Sequence, residues 1–345
     1  MKVLKFLGVL VIIVIIGFSY WIYNSLNTPH LHNKNNQYVQ IPHGSSPGQI
    51  LDKLTSEGIL SSPIPLKIYL KINGTGNEMQ AGDYLFGSPI TPLEVLGELK
   101  NGRLQTVKLT IPEGFNRFDI AKRIAEQFPQ SQPAGDSAAL KLMDDVSFIK
   151  DIAPDAKNLE GFMYPNTYNF PRAVTTQTII EKMVGEFKKV WKPEYTEQAL
   201  KMKLTPYEVV TIASLIETES RLNEERPIVA SVIYNRLHKG MPLGIDQTVV
   251  YIAKIENHWD GTIYKSELES NSPYNTRKFA GLPPGPISSV SESSIKAALY
   301  PATTNYMYYV LNVEKTDRSH IFYSTEAEFE QGKAAYQAWL KKERK

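Results

Sequence analysis

The sequence predicts an α+β protein: an N-terminal transmembrane helix, then small α/β units, then a larger mixed α/β domain. Three observations carry that expectation. An unbroken apolar run, Leu7–Ile16, stands near the start; the segment Val39–Leu54 recurs seventy residues later as Leu109–Ile124; and a strongly capped apolar helix begins at Thr205. At 345 residues the chain exceeds the ~100–200 residues typical of one domain, so two or three folded units are expected.

Composition narrows the chemistry. The chain has no cysteine, which removes thiol nucleophiles, disulfides, thiolate-bound zinc and iron–sulfur clusters. Basic and acidic side chains nearly balance, 38 against 36, so no broad basic surface awaits a nucleic-acid backbone. The six histidines, at 30, 32, 43, 238, 258 and 320, make no metal-binding spacing, and no metal site is expected. Serine hydrolysis and penicillin-binding acylation are not the expected chemistry. No glycine loop for a nucleotide appears, no lysine stands in a pyridoxal-phosphate context, and no cofactor is expected.

Taking the elements in order, no charged residue interrupts Phe6–Tyr23. At ~1.5 Å per residue, the run and its aromatic flank span most of a ~30 Å hydrocarbon core. Lys2 and Lys5 precede it and hold the N-terminus in the cytoplasm, while Tyr20, Trp21 and Tyr23 suit the interfacial aromatic belt. Bulky residues occupy the place of a small-x-small cleavage pattern, so an uncleaved anchor over residues 1–26 is expected rather than a signal peptide. The bulk of the chain would then lie on the extracytoplasmic (periplasmic) side of the inner membrane. Residues 27–37, polar and containing Pro29, read as a tether.

The repeat follows. Ile41, Pro42, Gly44, Ile50 and Leu54 match Ile111, Pro112, Gly114, Ile120 and Ile124, and each copy reads as strand, Ile-Pro-x-Gly turn and amphipathic helix. Thr91-Pro92-Leu93-Glu94 is a capping box with proline at the first helical position, which carries the first unit to about Gly102. Units at 38–104 and 105–154 are expected, with a third domain over 155–345. Within the last, Ile180, Met183, Val184, Phe187 and Trp191 fall at helical spacing in a helix over 178–191, and a charged helix over 325–342 closes the chain.

The clearest helix is introduced by Thr205-Pro206-Tyr207-Glu208, again a capping box, and continues through Val209, Val210, Ile212, Ala213, Leu215 and Ile216. Apolar residues cover nearly its whole circumference, which predicts burial. It delivers Glu217 and Glu219 at its far end. Two residues apart, they face nearly opposite sides and cannot share a site. Glu217 stacks over Val210, Ala213 and Ser214, where desolvation would raise its pKa as a general acid requires. Ordinary glutamates fraying at a helix end, with Arg221 as ion-pair partner, explain the pattern equally well. A helix over 224–239 stops at Gly240; Asn235 and Arg236 lie beside its apolar stripe, and Asp246 follows in MPLGIDQTVVY, read as a loop carboxylate. SPYNTR (272–277) and GLPPGPIS (281–288) offer Tyr274, Asn275 and a stiff proline loop suited to lining a groove.

Together, ASLIETES (213–220), VASVIYNRL (229–237), SPYNTRKFAGLPPGPIS (272–288) and LEGFMYPNTYNF (159–170) resemble the YceG-like family of endolytic murein transglycosylases over essentially the whole chain. The resemblance implies that the second repeat unit is LysM-like and that 155–345 is a catalytic domain. It implies cleavage inside peptidoglycan glycan strands, between N-acetylmuramic acid and N-acetylglucosamine, leaving 1,6-anhydro ends and limiting strand length. Glu217 matches the family's catalytic acid. Glu219, Asn235, Asp246, Gln247, Tyr274, Asn275, Pro283, Pro284, Gly285 and Pro286 match positions that bind substrate or support the cleft. One departure concerns the 244–247 loop, where Gly244 replaces a frequent glutamine and Gln247 a proline or alanine; a side-chain contact at 244 does not carry over, and Gln247 stands in for it. Implied partners are glycan strands, the membrane and a peptidoglycan synthase such as a penicillin-binding protein. The competing expectation is a non-catalytic, membrane-anchored scaffold that binds peptidoglycan within the synthesis machinery.

Overall fold

Helix α1 (Lys2–Asn27) is built by the apolar run. Its segment Phe6–Asn27 contains an 18-residue stretch of mean hydropathy 2.4 and is long and apolar enough to cross a membrane. The last turn differs from the rest: Leu26 is buried and Ile22 packs beside it in the apolar core of the first folded unit. This computed structural model describes residues 2–343 except 36, 43, 102–105 and 173. The expected 104/105 boundary, the end of the first unit at Gly102 and His43 therefore lie outside the described residues.

The first unit comprises residues up to Val107 together with Asn169–Val174. Strand β1 (Tyr38–Ile41) leads through the Ile-Pro-x-Gly turn to α2 (Pro47–Ser56) and α3 (Ile64–Asn73); β2 (Gly82–Leu85) then pairs antiparallel with β1 and precedes α4 (Pro92–Asn101). Val39 and Ile41 alternate inward to meet Leu51, Leu54, Leu66, Val95 and Leu99. The segment read as a tether lies along this unit: His30 and Ile90 exchange backbone hydrogen bonds at 2.8 and 3.1 Å, and His32 and Ser88 do so through the serine hydroxyl at 2.9 Å.

In the second unit, Lys108–Tyr168 folds together with Thr175 onward. Its first elements are β3 (Thr106–Ile111), α5 (Arg117–Gln127), α6 (Asp136–Leu142) and β4 (Asn166–Pro171), with β3 and β4 paired. The two repeat copies adopt the same local geometry. Gly44 and Gly114 both take φ +78°, the left-handed turn that a side chain resists, and both helices open on a reciprocal cap, Ser46 with Gln49 and Asn116 with Asp119.

Helix α7 (Thr176–Val190) starts two residues before the expected point because the Thr175 hydroxyl caps Thr178. Next come α8 (Pro193–Lys201) and α9 (Pro206–Glu219), the latter opened by the anticipated Thr205–Glu208 box. Every residue of α9 from Val209 to Glu217 is buried. Helices α10 (Arg226–His238), α11 (Asp246–Ile255) and α13 (Glu292–Leu299) pack around α9 together with α8, while the short α12 (Lys265–Leu268) lies against α11. A hairpin of β5 (Tyr308–Leu311) and β6 (His320–Tyr323) follows, covered by α14 (Glu326–Glu343). The architecture is thus mixed α and β, with a helical core in the second unit.

Gly161, in LEGF, is a position where this core tolerates little change. It sits at φ +82°, and a Cβ there would lie 2.7 Å from Val210 Cγ1 and 2.8 Å from Pro286 Cβ. Both neighbours are stiff, so the backbone would have to move. Gly161→Ala is expected to destabilise the second unit by about 2–4 kcal/mol through strain and overpacking, read as a lowered urea midpoint with unchanged slope.

Candidate active site

Glu217 ends the buried stretch of α9, its side chain 2% exposed. Three donors hold it. Arg226 Nη2 lies 2.7 Å from Oε1, while the backbone N–H and hydroxyl of Ser291 reach Oε2 at 2.7 and 2.6 Å. Ser291 also caps α13, so the same residue starts one helix and fixes the acid at the end of another. Arg226 is the first residue of α10, where the helix dipole disfavours a cation. It is held there, 4% exposed, by Glu217, by the Ser291 and Ser293 hydroxyls, and by Glu113 Oε2 at 3.3 Å. Glu113 belongs to the second Ile-Pro-x-Gly turn, which is fastened by Gly114 N–H to Ser289 O at 3.3 Å and Ser289 N–H to Phe115 O at 2.6 Å.

Burial pushes the Glu217 carboxyl above the ordinary carboxylate range, Arg226 and the Ser291 donors pull it back, and the nearby Glu113 charge pushes it up again. One face of the acid opens on a cleft of about 440 Å³, lined by Glu113, Gly114, Thr218, Ser220, Arg221, Arg226 and Gln247. The lining is polar and carries charges of both signs, and the acid at its floor is held by short hydrogen bonds. Such an arrangement can donate a proton to a bound polar ligand and take one back without moving.

Of the residues singled out in the sequence, the structure brings Glu217 and Gln247 into this cleft. Glu219 turns away from it, accepting from the Tyr309 hydroxyl at 2.6 Å and tying α9 to the hairpin. Asn235 donates to Thr304 O and Tyr306 O, both at 2.9 Å. Asp246 opens α11 rather than lying in a loop, and pairs with Arg277. Tyr274 packs against Tyr251 with ring centres 5.1 Å apart, and buried Asn275 donates to Leu268 O and Ser270 O at 3.0 and 2.9 Å. Pro283, Gly285 and Pro286 are buried and Pro284 half-buried, and the loop is laid along α9 where Ile287 N–H meets the Ser214 hydroxyl at 3.0 Å. Gly244 takes φ +70°, so a glutamine there would be strained in this backbone.

Sequence reasoning passed over Arg226, Ser291 and Glu113. A signal existed for the first: an arginine opening a helix, against the dipole, implies anions waiting for it. For Glu113 the one sequence signal was its place in the repeated Ile-Pro-x-Gly turn. Arg221, considered as the partner of the glutamates, lines the cleft instead, and the cation that pairs with Glu217 is Arg226.

A second buried acid lies outside the cleft. Glu160 is 1% exposed, accepts from Arg117 N–H at 3.0 and 3.1 Å, and is hydrogen-bonded to the Tyr251 hydroxyl. Burial raises its carboxyl to about 7.

Comparison with known proteins places these observations. Residues 39–335 match the sequence model of the YceG-like family. An endolytic murein transglycosylase of Bacillus subtilis is 33% identical over 339 residues, covering 93% of this chain and 91% of the relative. One from Streptococcus pneumoniae (strain D39) is 28% identical over 86% of this chain and 58% of its own length. A crystal structure of a YceG-like protein from Listeria monocytogenes, 32% identical, superposes with a TM-score of 0.57 over 85% of this chain and 97% of that one.

The Glu160 environment carries a pH signature. The folded-state value near 7 lies above the ordinary 4.5, so the native state retains a proton that the unfolded chain has lost. Stability from this group is full below pH 4.5 and is lost as pH rises through 7. Glu160→Gln, neutral at every pH, is expected to match wild type near pH 5 and to exceed it at pH 8 by up to about 3 kcal/mol in denaturant unfolding.

Proposed function

The chain belongs to the YceG-like family, and from that premise we propose that it is an endolytic lytic transglycosylase that cuts peptidoglycan strands between N-acetylmuramic acid and N-acetylglucosamine. The observation that carries this reading is a buried carboxyl group, Glu217, held rigidly by Arg226 and Ser291 at the floor of an open polar cleft. Protonated Glu217 donates to the glycosidic oxygen as its bond to the muramyl anomeric carbon breaks. The resulting carboxylate then takes the proton of the muramyl 6-hydroxyl, whose oxygen closes onto that carbon to form the 1,6-anhydro ring. The proton lost in the first step returns in the second, and no water is consumed. Because the attacking hydroxyl is already part of the sugar, effective molarity replaces the second carboxylate that hydrolytic glycosidases use. The three donors around Glu217 stabilise its carboxylate form, as the second half of the cycle requires.

The length and apolar character of α1 support a membrane placement. Anchored in the inner membrane with the remaining chain outside the cytoplasm, the enzyme meets strands as they are polymerised and limits their length. A peptidoglycan synthase of the penicillin-binding type is the partner this placement suits, and the second repeat unit, LysM-like, would hold glycan beside the cleft. Gln247 and the other matched residues, Glu219, Asn235, Asp246, Tyr274, Asn275 and Pro283–Pro286, serve this reading by contact or by shaping the surrounding loops.

Glu217→Gln is expected to lower release of anhydromuramyl ends from isolated glycan strands by about 100-fold or more, with the protein still folded but its thermal midpoint lowered because buried Arg226 loses its close counter-ion. Mass spectrometry of the digest reads this directly. Equal release by both proteins would reassign the acid, and release by neither would favour a binding scaffold. Exchanging α1 for a cleaved secretion signal is expected to lengthen strands in vivo, measured by chromatography of their anhydro ends; unchanged length would separate the activity from its anchoring.

A further inference from the structure

Arg226 is shared between two carboxylates. Its Nη2 lies 2.7 Å from Glu217 Oε1 and 3.3 Å from Glu113 Oε2. The two acids are unequal, since the Glu217 side chain is 2% exposed and that of Glu113 56%. This matters for any mechanism in which Glu217 begins as the protonated acid. Neutralising Glu217 removes the close counter-ion of a guanidinium that is itself only 4% exposed. A buried cation left without an anion is strongly unfavourable, which would hold Glu217 in its charged, inactive form.

We propose that Glu113 is a positioning residue for the transglycosylase reaction: it takes over the charge of Arg226 whenever Glu217 is protonated, and so lets Glu217 carry the proton it must donate. The role rests on the function proposed above for Glu217. It acts through Arg226, and Glu113 itself needs no contact with the sugar. The Ile-Pro-x-Gly turn suits the purpose because its backbone is fastened at Gly114 and Phe115 to Ser289, two residues before the Ser291 that holds the other side of Glu217. Both anions of the pair are thereby referred to one short segment, 289–291.

The other groups facing this cluster leave the task to Glu113. From α13, Glu292 is engaged by Lys192, Tyr195 and Lys296, and Ser293 donates no charge. Burial raises the hydroxyl of Tyr164, from the 159–170 segment, and the charges of Glu292, Glu113 and Glu217 push it up further. Asp246 at the start of α11 is paired with Arg277, and Glu219 on α9 is turned to Tyr309. Arg221 lines the cleft mouth. Among these acids Glu113 alone has an oxygen recorded within ion-pair distance of Arg226 besides Glu217 itself.

The test is the pH–rate profile of the full-length protein on uncrosslinked glycan strands, for wild type, Glu113→Gln and Glu113→Asp. With Glu113→Gln, Arg226 binds Glu217 alone and the acid loses its proton at lower pH. The alkaline limb should move down by about 0.5–1 pH unit, with kcat at pH 7.5 reduced several-fold and KM within twofold of wild type. Glu113→Asp should restore most of the limb. An unmoved limb, or a raised KM at constant kcat, would overturn the proposal; the second pattern would mark a sugar-binding residue. Titration of the ¹³C carboxyl signal that disappears in Glu217→Gln reads the same shift without turnover. A downward shift of that signal in Glu113→Gln supports the charge transfer even if Glu217→Gln retains activity, and an unshifted signal refutes it even if Glu217 proves to be the acid.

Discussion

The buried pair of Glu217 and Arg226 is the constraint around which the second unit is organised. Two ions cannot leave water together unless nearly every hydrogen-bonding position on each is met. Meeting them recruits the cap of α13, the first turn of α10, the end of α9 and the turn after β3. Once those four pieces are fixed in space, the packing of α10 and α13 on α9 has little freedom left. The six buried apolar residues of α9, Val209, Val210, Ile212, Ala213, Leu215 and Ile216, supply apolar free energy that offsets the desolvation of the pair. Placement of the Glu217 carboxyl group and folding are therefore the same set of contacts, and the group is held where it is because the helices are.

Much of the fold was legible in the sequence because its signals are local. The apolar run of α1, the capping boxes at Thr91 and Thr205, and the repeated Ile-Pro-x-Gly turn each state their structure within a dozen residues. Boundaries were less legible. The expected helix over 224–239 begins at Arg226, with Glu225 at its N-cap, whose carboxylate accepts from His320 of the hairpin ninety-five positions away and does not cap the helix.

The site was legible in part, for a physical reason. Burial of Glu217 could be argued from the neighbours it stacks on, all within one helix. Its partners could not, since Glu113, Arg226 and Ser291 come from three separate stretches that only the tertiary fold joins. Polar residues in loops are ambiguous in a further way: an amide or hydroxyl facing a ligand and one closing a turn have the same composition. Asn235 and Asn275 spend both side-chain donors on carbonyl groups of their own chain, so they set the shape of the walls around the α9–α10 region.

The junction between α1 and the first unit has a mechanical meaning. Ile22 and Leu26 are packed into the unit's own core, and the following residues are sewn to Ile90 and Ser88 rather than left slack. A helix joined to a folded body in this way behaves as a shaft fixed to a collar. Tilting or rotating the shaft turns the collar with it, and the collar's height above the shaft's end is set by packing instead of by chain entropy. The first unit would then ride at a constant stand-off, as a spacer of defined length.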